Sequence, residues 1–338
     1  MTRLAHSRIK PPIFIVGSPR SGTTFLTKLM NTFLDIHVAR DAGAFLRFYK
    51  MLPEFGDLSQ RENMEQLIRR LFKDHFFQLR ILKRGLNFTV GQALEQFQGG
   101  TFAELIDYLM TEMARQQGKT RWGNKRPSYA LHVAELVALF PHARILHIIR
   151  DGRDVAYSMR RSGEGAFERN WYYAIKDWEH HVCMARESGN RLAKGQYLEI
   201  KYEDLMKTPV EVLWKVIHFM GDVEENEKRL RNSAARIQAM IKPGNYEKWR
   251  RQVPSYAVKV MEQAAGNTLD AFGYTVMYPQ LVGQPFHSFQ KAWFFIDNIK
   301  GKVFSPAVKK SITYRFHWLK SRWRIAGLVL LYEGSVLF

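Results

Sequence analysis

Residues 13–30 read IFIVGSPRSGTTFLTKLM. The apolar run Ile13–Val16, bounded by Pro12 and Gly17, has the length and composition of a buried strand. Beyond the turn, Phe25, Leu26, Leu29, Met30 and Phe33 fall on one helical face. Strand, glycine-bearing loop and helix together form the first half of a βαβ unit. Such a loop is an anion site, because backbone N–H groups point outward from the helix start and the helix dipole favours negative charge. Gly17 and Gly22 let the backbone approach a phosphate closely. Ser21, Thr23 and Thr24 add hydroxyl donors, and Arg20 adds a planar charged fork.

The pattern recurs along the chain. Thr101 and Glu104 have capping-box spacing ahead of the stripe Phe102, Leu105, Ile106, Leu109, Met110 and Met113. An amphipathic stretch from Tyr129 to Phe140 stops at Pro141. Arg144–Ile149 reads as a second buried strand ending at Arg150-Asp151-Gly152, and a helix-compatible segment follows from Asp154. Tyr197–Tyr202 reads as a third strand. Thr208-Pro209-Val210-Glu211 then starts a helix that runs to about Met220 and ends at Gly221. Strands alternating with helices predict an α/β fold with a central, mainly parallel sheet flanked by helices.

The 338 residues suit one large domain or two modest ones, and 46% hydrophobic content supports an ordinary core. Lys and Arg number 51 against 32 Asp and Glu, a formal net charge of +19, which predicts attraction to anions. Cys183 is the only cysteine, so an intrachain disulfide and a cysteine-rich metal site are excluded. The N-terminus lacks an apolar run of signal-peptide length, and no window reaches the ~20 apolar residues of a membrane span. A cytoplasmic location is expected. After residue 280 the texture changes. Residues 285–338 carry nine Lys/Arg against two Asp/Glu, with Trp293, Trp318, Trp323 and the short apolar run 325–332, IAGLVLLY. The division expected is a catalytic domain over 1–280 and a basic, aromatic C-terminal extension over 281–338. That extension is expected to pack on the domain or a second subunit, with peripheral membrane contact as the less favoured reading.

The spacing Gly17-x4-Gly22 matches the first part of a nucleoside-triphosphate loop, yet Thr23 stands where that loop carries its lysine. No apolar strand ends in an isolated acid suited to magnesium. Pro19-Arg20-Ser21-Gly22-Thr23-Thr24 instead resembles the 5′-phosphosulfate loop of sulfotransferases that use 3′-phosphoadenosine 5′-phosphosulfate (PAPS). ILHIIRDGRDVAYSM resembles that family's 3′-phosphate segment, a strand leading to Arg150 with Ser158 eight residues later. Tyr202-Glu203-Asp204-Leu205 looks like the family's strand-end segment whose tyrosine lies near the adenine. Lys242-Pro243-Gly244 with Trp249 resembles the loop that closes over the cofactor, although Lys replaces its Arg and Pro its Lys. The four matches span residues 13–249 in family order. The resemblance implies the sulfotransferase fold, related to nucleotide kinases and their phosphate loop.

It also implies sulfuryl transfer from PAPS to an acceptor hydroxyl or amine, leaving 3′,5′-adenosine bisphosphate and needing no metal. Arg20 and Lys125 are the residues expected to stabilise charge. Lys125 lies in Trp122-Gly123-Asn124-Lys125-Arg126-Pro127, which resembles the W-G-x-K-x-P segment of carbohydrate and tyrosylprotein relatives. Asp41 occupies the place of their catalytic glutamate, with His37 as the alternative base. The Lys-Thr-His segment of the cytosolic aryl branch is missing. A carbohydrate acceptor is therefore expected first, then a lipid-linked or peptide tyrosine, small or polymeric and suited to being acidic. Two other functions stay open: a nucleotide-dependent phosphotransferase, disfavoured by the missing lysine, and a non-catalytic polyanion-binding protein. Nucleic acid is not an expected partner.

Overall fold

The computed structural model describes residues 10–40, 43–97, 100–161 and 170–303, with side chains as far as residue 299. Five strands form one sheet: β1 Ile13–Val16, β2 His37–Arg40, β3 Trp122–Lys125, β4 Arg144–Ile149 and β5 Tyr197–Lys201. Their order is β2-β3-β1-β4-β5 and every pairing is parallel. The expected α/β architecture with a mainly parallel sheet is therefore present.

Alternation of side chains sorts the strands into two cores. Phe14, Val16, Ala39, Trp122 and Ile145 lie on one face, with Leu105 and Leu109 of the Phe102–Gln116 helix. Ile13, Ile15, Val38, Leu146, Ile148 and Ile200 lie on the other. There α1 (Thr23–Phe33) contributes Leu26, Leu29 and Met30, and the Pro209–Met220 helix contributes Leu213, Val216 and Ile217. A parallel sheet covered on both faces needs strands that are largely apolar, as β1 is throughout and β4 is apart from Arg144 and His147. At the margin of the sheet, Asn31 of α1 seals β2. Its Nδ2 donates to the Val38 carbonyl at 3.1 Å, and its Oδ1 accepts from the Val38 N–H at 2.7 Å.

Residues 10–151 and 180–248 pack as one unit that holds the whole sheet, and residues 152–179 and 249–303 as a second. The second unit contains the helices Gly152–Arg160, Ser255–Ala271 and Ser288–Val303. At its centre the Arg153 guanidinium lies 3.6 Å from the Trp249 ring centroid and donates to Glu262 at 2.5 Å. Glu262 also accepts from the N–H groups of Met277 and Tyr278, at 2.9 and 2.7 Å. The Trp249 N–H donates to Asp154 at 2.8 Å. Of the extension 281–338, only 281–303 is among the described residues; Trp318, Trp323 and the run 325–332 lie outside them.

Two strands form that the sequence pattern does not signal, and two local expectations differ from what forms. β2 and β3 are strands without an apolar run: Trp122-Gly123-Asn124-Lys125 pairs in register with β1, and His37-Val38-Ala39-Arg40 pairs in turn with β3. Residues 129–140 are not one helix but a 3-10 turn, Pro127–Leu131, followed by Val133–Leu139. Thr208 does not cap the next helix; its hydroxyl donates back to the Asp204 carbonyl at 3.4 Å, while Pro209 and a left-handed Gly221 begin and end that helix as expected. The Thr101–Glu104 capping box forms.

Candidate functional site

β1 sits at the centre of the sheet with β3 on one side and β4 on the other. The chain leaves the C-terminal end of β1 toward β2 and that of the neighbouring β4 toward β5, in opposite directions, which opens a crevice where open α/β sheets bind ligands. The loop Gly17–Gly22 crosses that end. A Cβ on Gly17 would lie 2.5 Å from the Ile148 carbonyl oxygen, so the loop leaves β1 along a path only glycine permits. The Ser21 N–H donates to the Ser18 carbonyl at 3.1 Å, tightening the turn. Arg20 and Gly22 both take positive φ, 70° and 95°. Gly22 caps α1 without a side-chain hydrogen bond, so no side chain competes for the first-turn N–H groups. The Ser21 hydroxyl is buried and has no partner, Thr23 is buried, and Thr24 and Arg20 are exposed.

The loop meets two other strand ends at one aromatic ring. A Cβ on Gly22 would lie 2.3 Å from Cδ2 of Tyr202, so the ring rests directly on the glycine. On the same ring, the Arg150 guanidinium lies 4.5 Å from the centroid. Arg150 follows β4 and is buried; its Nη1 donates to the Arg20 carbonyl at 3.3 Å and its Nη2 to the Asn245 carbonyl at 3.2 Å. Tyr202 opens the short helix Tyr202–Lys207 after β5, and its hydroxyl accepts from Asn245 Nδ2 at 2.7 Å. The Asp151 N–H donates to Glu203 at 3.0 Å, tying the ends of β4 and β5 together. Within the sheet-bearing unit, then, Arg20, Ser21, Gly22, Arg150 and Tyr202 converge.

Lys242 and Gly244 lie exposed in the loop 241–248, with Gly244 at φ 68°. The residue of that loop that reaches the site is Asn245, which the sequence reading did not single out; its position beside the Pro-Gly turn was the only signal. Lys125 ends β3, buried, in register with Ile15 of β1 and Arg40 of β2. The buried neighbour Asn124 has neither amide atom hydrogen-bonded. His37 starts β2, in register with Trp122, at the opposite end of the strand from the loop. Burial, reinforced by Lys119, holds its pKa below the ordinary value. Asp41 lies outside the described residues. Ser158 is half-buried on the Gly152–Arg160 helix and belongs to the second unit.

A second polar group sits on the sheet itself. His147 of β4 is fully buried; its Nδ1 is 2.7 Å from the Tyr197 hydroxyl, which donates to Glu199 at 2.7 Å. Since that hydroxyl proton is committed to Glu199, His147 carries its own proton on Nδ1 and donates it to the tyrosine oxygen. Arg186 grips Glu199 bidentately at 2.9 and 2.6 Å. Burial alone would raise the Glu199 pKa, but the hydrogen bonds from Arg186 and Tyr197, with the His147 ring close by, outweigh it and hold the carboxyl well below its usual range. Among the described residues, no group of three or more His, Cys, Asp or Glu side chains is placed to hold a metal ion, and no helix is long and apolar enough to cross a membrane.

A model of the sulfotransferase family matches residues 11–225. The chain is 25% identical over 293 residues to a protein-tyrosine sulfotransferase of Drosophila melanogaster, covering 80% of this chain and 53% of that protein. It thus spans about half the length of that relative. It is 24% identical over 159 residues to carbohydrate sulfotransferase 3 of Mus musculus, covering 39% of this chain and 34% of that one. The sulfotransferase domain of the Synechococcus PCC 7002 olefin synthase shares its fold, with a TM-score of 0.52 at 21% identity over 81% of this chain and 98% of that one.

Proposed function

The chain belongs to the sulfotransferase family, and from that premise we propose that it moves a sulfuryl group from PAPS to an acceptor hydroxyl. The observation that carries this reading is the Tyr202 ring, with Gly22 of the opening loop against it and Arg150 over it. A donor-rich glycine loop and a guanidinium held beside one aromatic ring suit a nucleotide with an anion at each end. The donor set fits: an unpartnered buried hydroxyl at Ser21, a glycine whose Cβ would strike the ring, and an uncapped helix start.

When bound, PAPS supplies the activated sulfuryl group. The residues proposed to hold its 5′ end are Arg20, Ser21, Gly22, Thr23 and Thr24. Arg150 is proposed for the 3′-phosphate and Tyr202 for the adenine, and Asn245 fixes both by its carbonyl and its amide. Lys242 and Gly244 are proposed to close the loop over the nucleotide. Lys125 and Arg20 stabilise negative charge as the transfer proceeds; losing one preorganised donor of this kind costs about 10²–10³ in rate. Asp41 is the proposed base that takes the acceptor proton. The 25% identity to a protein-tyrosine sulfotransferase runs over 80% of the chain, against 39% for the carbohydrate enzyme. A tyrosine hydroxyl is accordingly the first acceptor to test, and a carbohydrate hydroxyl the second.

Thermal shifts with 3′,5′-adenosine bisphosphate, 5′-AMP and ATP with magnesium test the reading. The bisphosphate should stabilise most, and Arg150→Ala should erase its advantage over AMP. Strongest stabilisation by ATP with magnesium would favour the phosphotransferase instead.

A further inference from the structure

The turn that carries Arg20 is under strain. The Ser21 N–H donates to the Ser18 carbonyl at 3.1 Å, which closes the four residues Ser18-Pro19-Arg20-Ser21. The Pro19 ring sets a negative φ at the second position, and Arg20 takes φ 70° at the third. That is the type II arrangement, whose third position favours glycine. An arginine keeps such a backbone only where its surroundings impose it. Glu247 is the one other non-glycine residue at positive φ among the described residues, so the conformation is exceptional in this chain.

The surroundings of Arg20 supply a clamp from each side. Its carbonyl and the Ser21 N–H belong to one peptide plane. Ser18 holds the N–H, and Arg150 holds the oxygen, its Nη1 donating at 3.3 Å. Arg150 is buried and is itself fixed. Its Nη2 donates to the Asn245 carbonyl at 3.2 Å, and its guanidinium lies 4.5 Å from the Tyr202 centroid. Tyr202 accepts from Asn245 Nδ2 at 2.7 Å, and its ring rests on Gly22. The Arg150 fork therefore bridges the loops 17–22 and 241–248 at their carbonyls, all within the sheet-bearing unit. We infer that Arg150 is a positioning residue for the opening loop as well as the reader of the 3′-phosphate: through the Arg20 carbonyl it holds the left-handed turn that shapes the loop for the 5′ end of the nucleotide. The inference rests on the sulfuryl-transfer reading, which assigns the two anionic ends. One guanidinium serving both ends makes them interdependent. A ligand without a 3′-phosphate should still feel the loss of Arg150, at the end of the molecule that Arg150 does not contact.

Isothermal titration with adenosine, 5′-AMP and 3′,5′-adenosine bisphosphate tests it. The quantity to follow is the gain in affinity from adenosine to 5′-AMP. Neither ligand carries a 3′-phosphate, and contacts to the adenine cancel in the ratio. Arg150→Ala should shrink that gain by about fivefold or more, the lower end of coupling between sites. Arg150→Lys, which keeps a donor for the carbonyl, should shrink it less. Arg20→Gly lowers the gain by itself but relieves the turn of strain, so adding Arg150→Ala to that variant should change the gain little. Melting temperatures report that each variant is folded. An unchanged gain in Arg150→Ala would overturn the inference, and so would an equal loss with and without Arg20→Gly. Tighter binding of ATP with magnesium than of the bisphosphate by the wild-type protein would overturn the sulfuryl-transfer reading and this inference with it, so the two failures are told apart.

Discussion

At Gly22 two demands meet in one residue: a left-handed backbone at φ 95° and the Tyr202 ring where a Cβ would sit. Gly22→Ala should destabilise the protein by roughly 2–4 kcal/mol through strain and overpacking. In the double variant with Tyr202→Ala the steric part should vanish and the backbone part persist. The cost should then fall below the sum of the two single changes, as chemical denaturation of all four proteins would measure. The loop residues were legible because glycines and hydroxyls between an apolar run and an amphipathic helix have few other uses. Asn245 was not, because its carbonyl and amide act through tertiary contacts to Arg150 and Tyr202 that leave no local signature.

Among the elements, β1, β4 and most of β5 could be read from their apolar runs, and the helix starts at Thr101 and Pro209 from a capping box and a proline at the first helical position. β2 and β3 could not, since four-residue strands containing Asn, Lys, Arg and His become strands only through pairing with β1 and each other. The elements of the second unit are held by a different device. Glu262 joins the Ser255–Ala271 helix to Arg153 of the Gly152–Arg160 helix and to the chain at Met277 and Tyr278. Its partner is equally buried, so Glu262→Ala takes the carboxylate away from a buried guanidinium and should cost about 3–5 kcal/mol. Glu262→Gln, which still accepts from the two N–H groups, should cost less. Thermal melts of the two variants would rank them, and equal costs would show that charge is not what matters there.

For the whole molecule, acid stability follows from the His147 group. Burial lowers the His147 pKa, opposed in part by Glu199, whose carboxylate is 3.7 Å away. The unfolded histidine titrates near about 6.5 and the folded one lower, so below about pH 6.5 the unfolded chain binds a proton that the native chain refuses. Stability should fall with falling pH, by up to about 1.4 kcal/mol per unit from this group. Glu199, also depressed, adds to the loss below the ordinary carboxylate range. His147→Gln keeps a donor for Tyr197 and removes the titration; denaturant midpoints between pH 7.5 and 5 should flatten accordingly, and an unaltered slope would exonerate His147. The seal that Asn31 places on β2 also acts at this scale. An open β-ladder invites other chains to add on, whereas at Val38 this margin has its donor and acceptor already taken. Asn31→Ala should therefore reveal itself on storage at high concentration, as light scattering that climbs with time in samples whose freshly measured ligand binding is normal.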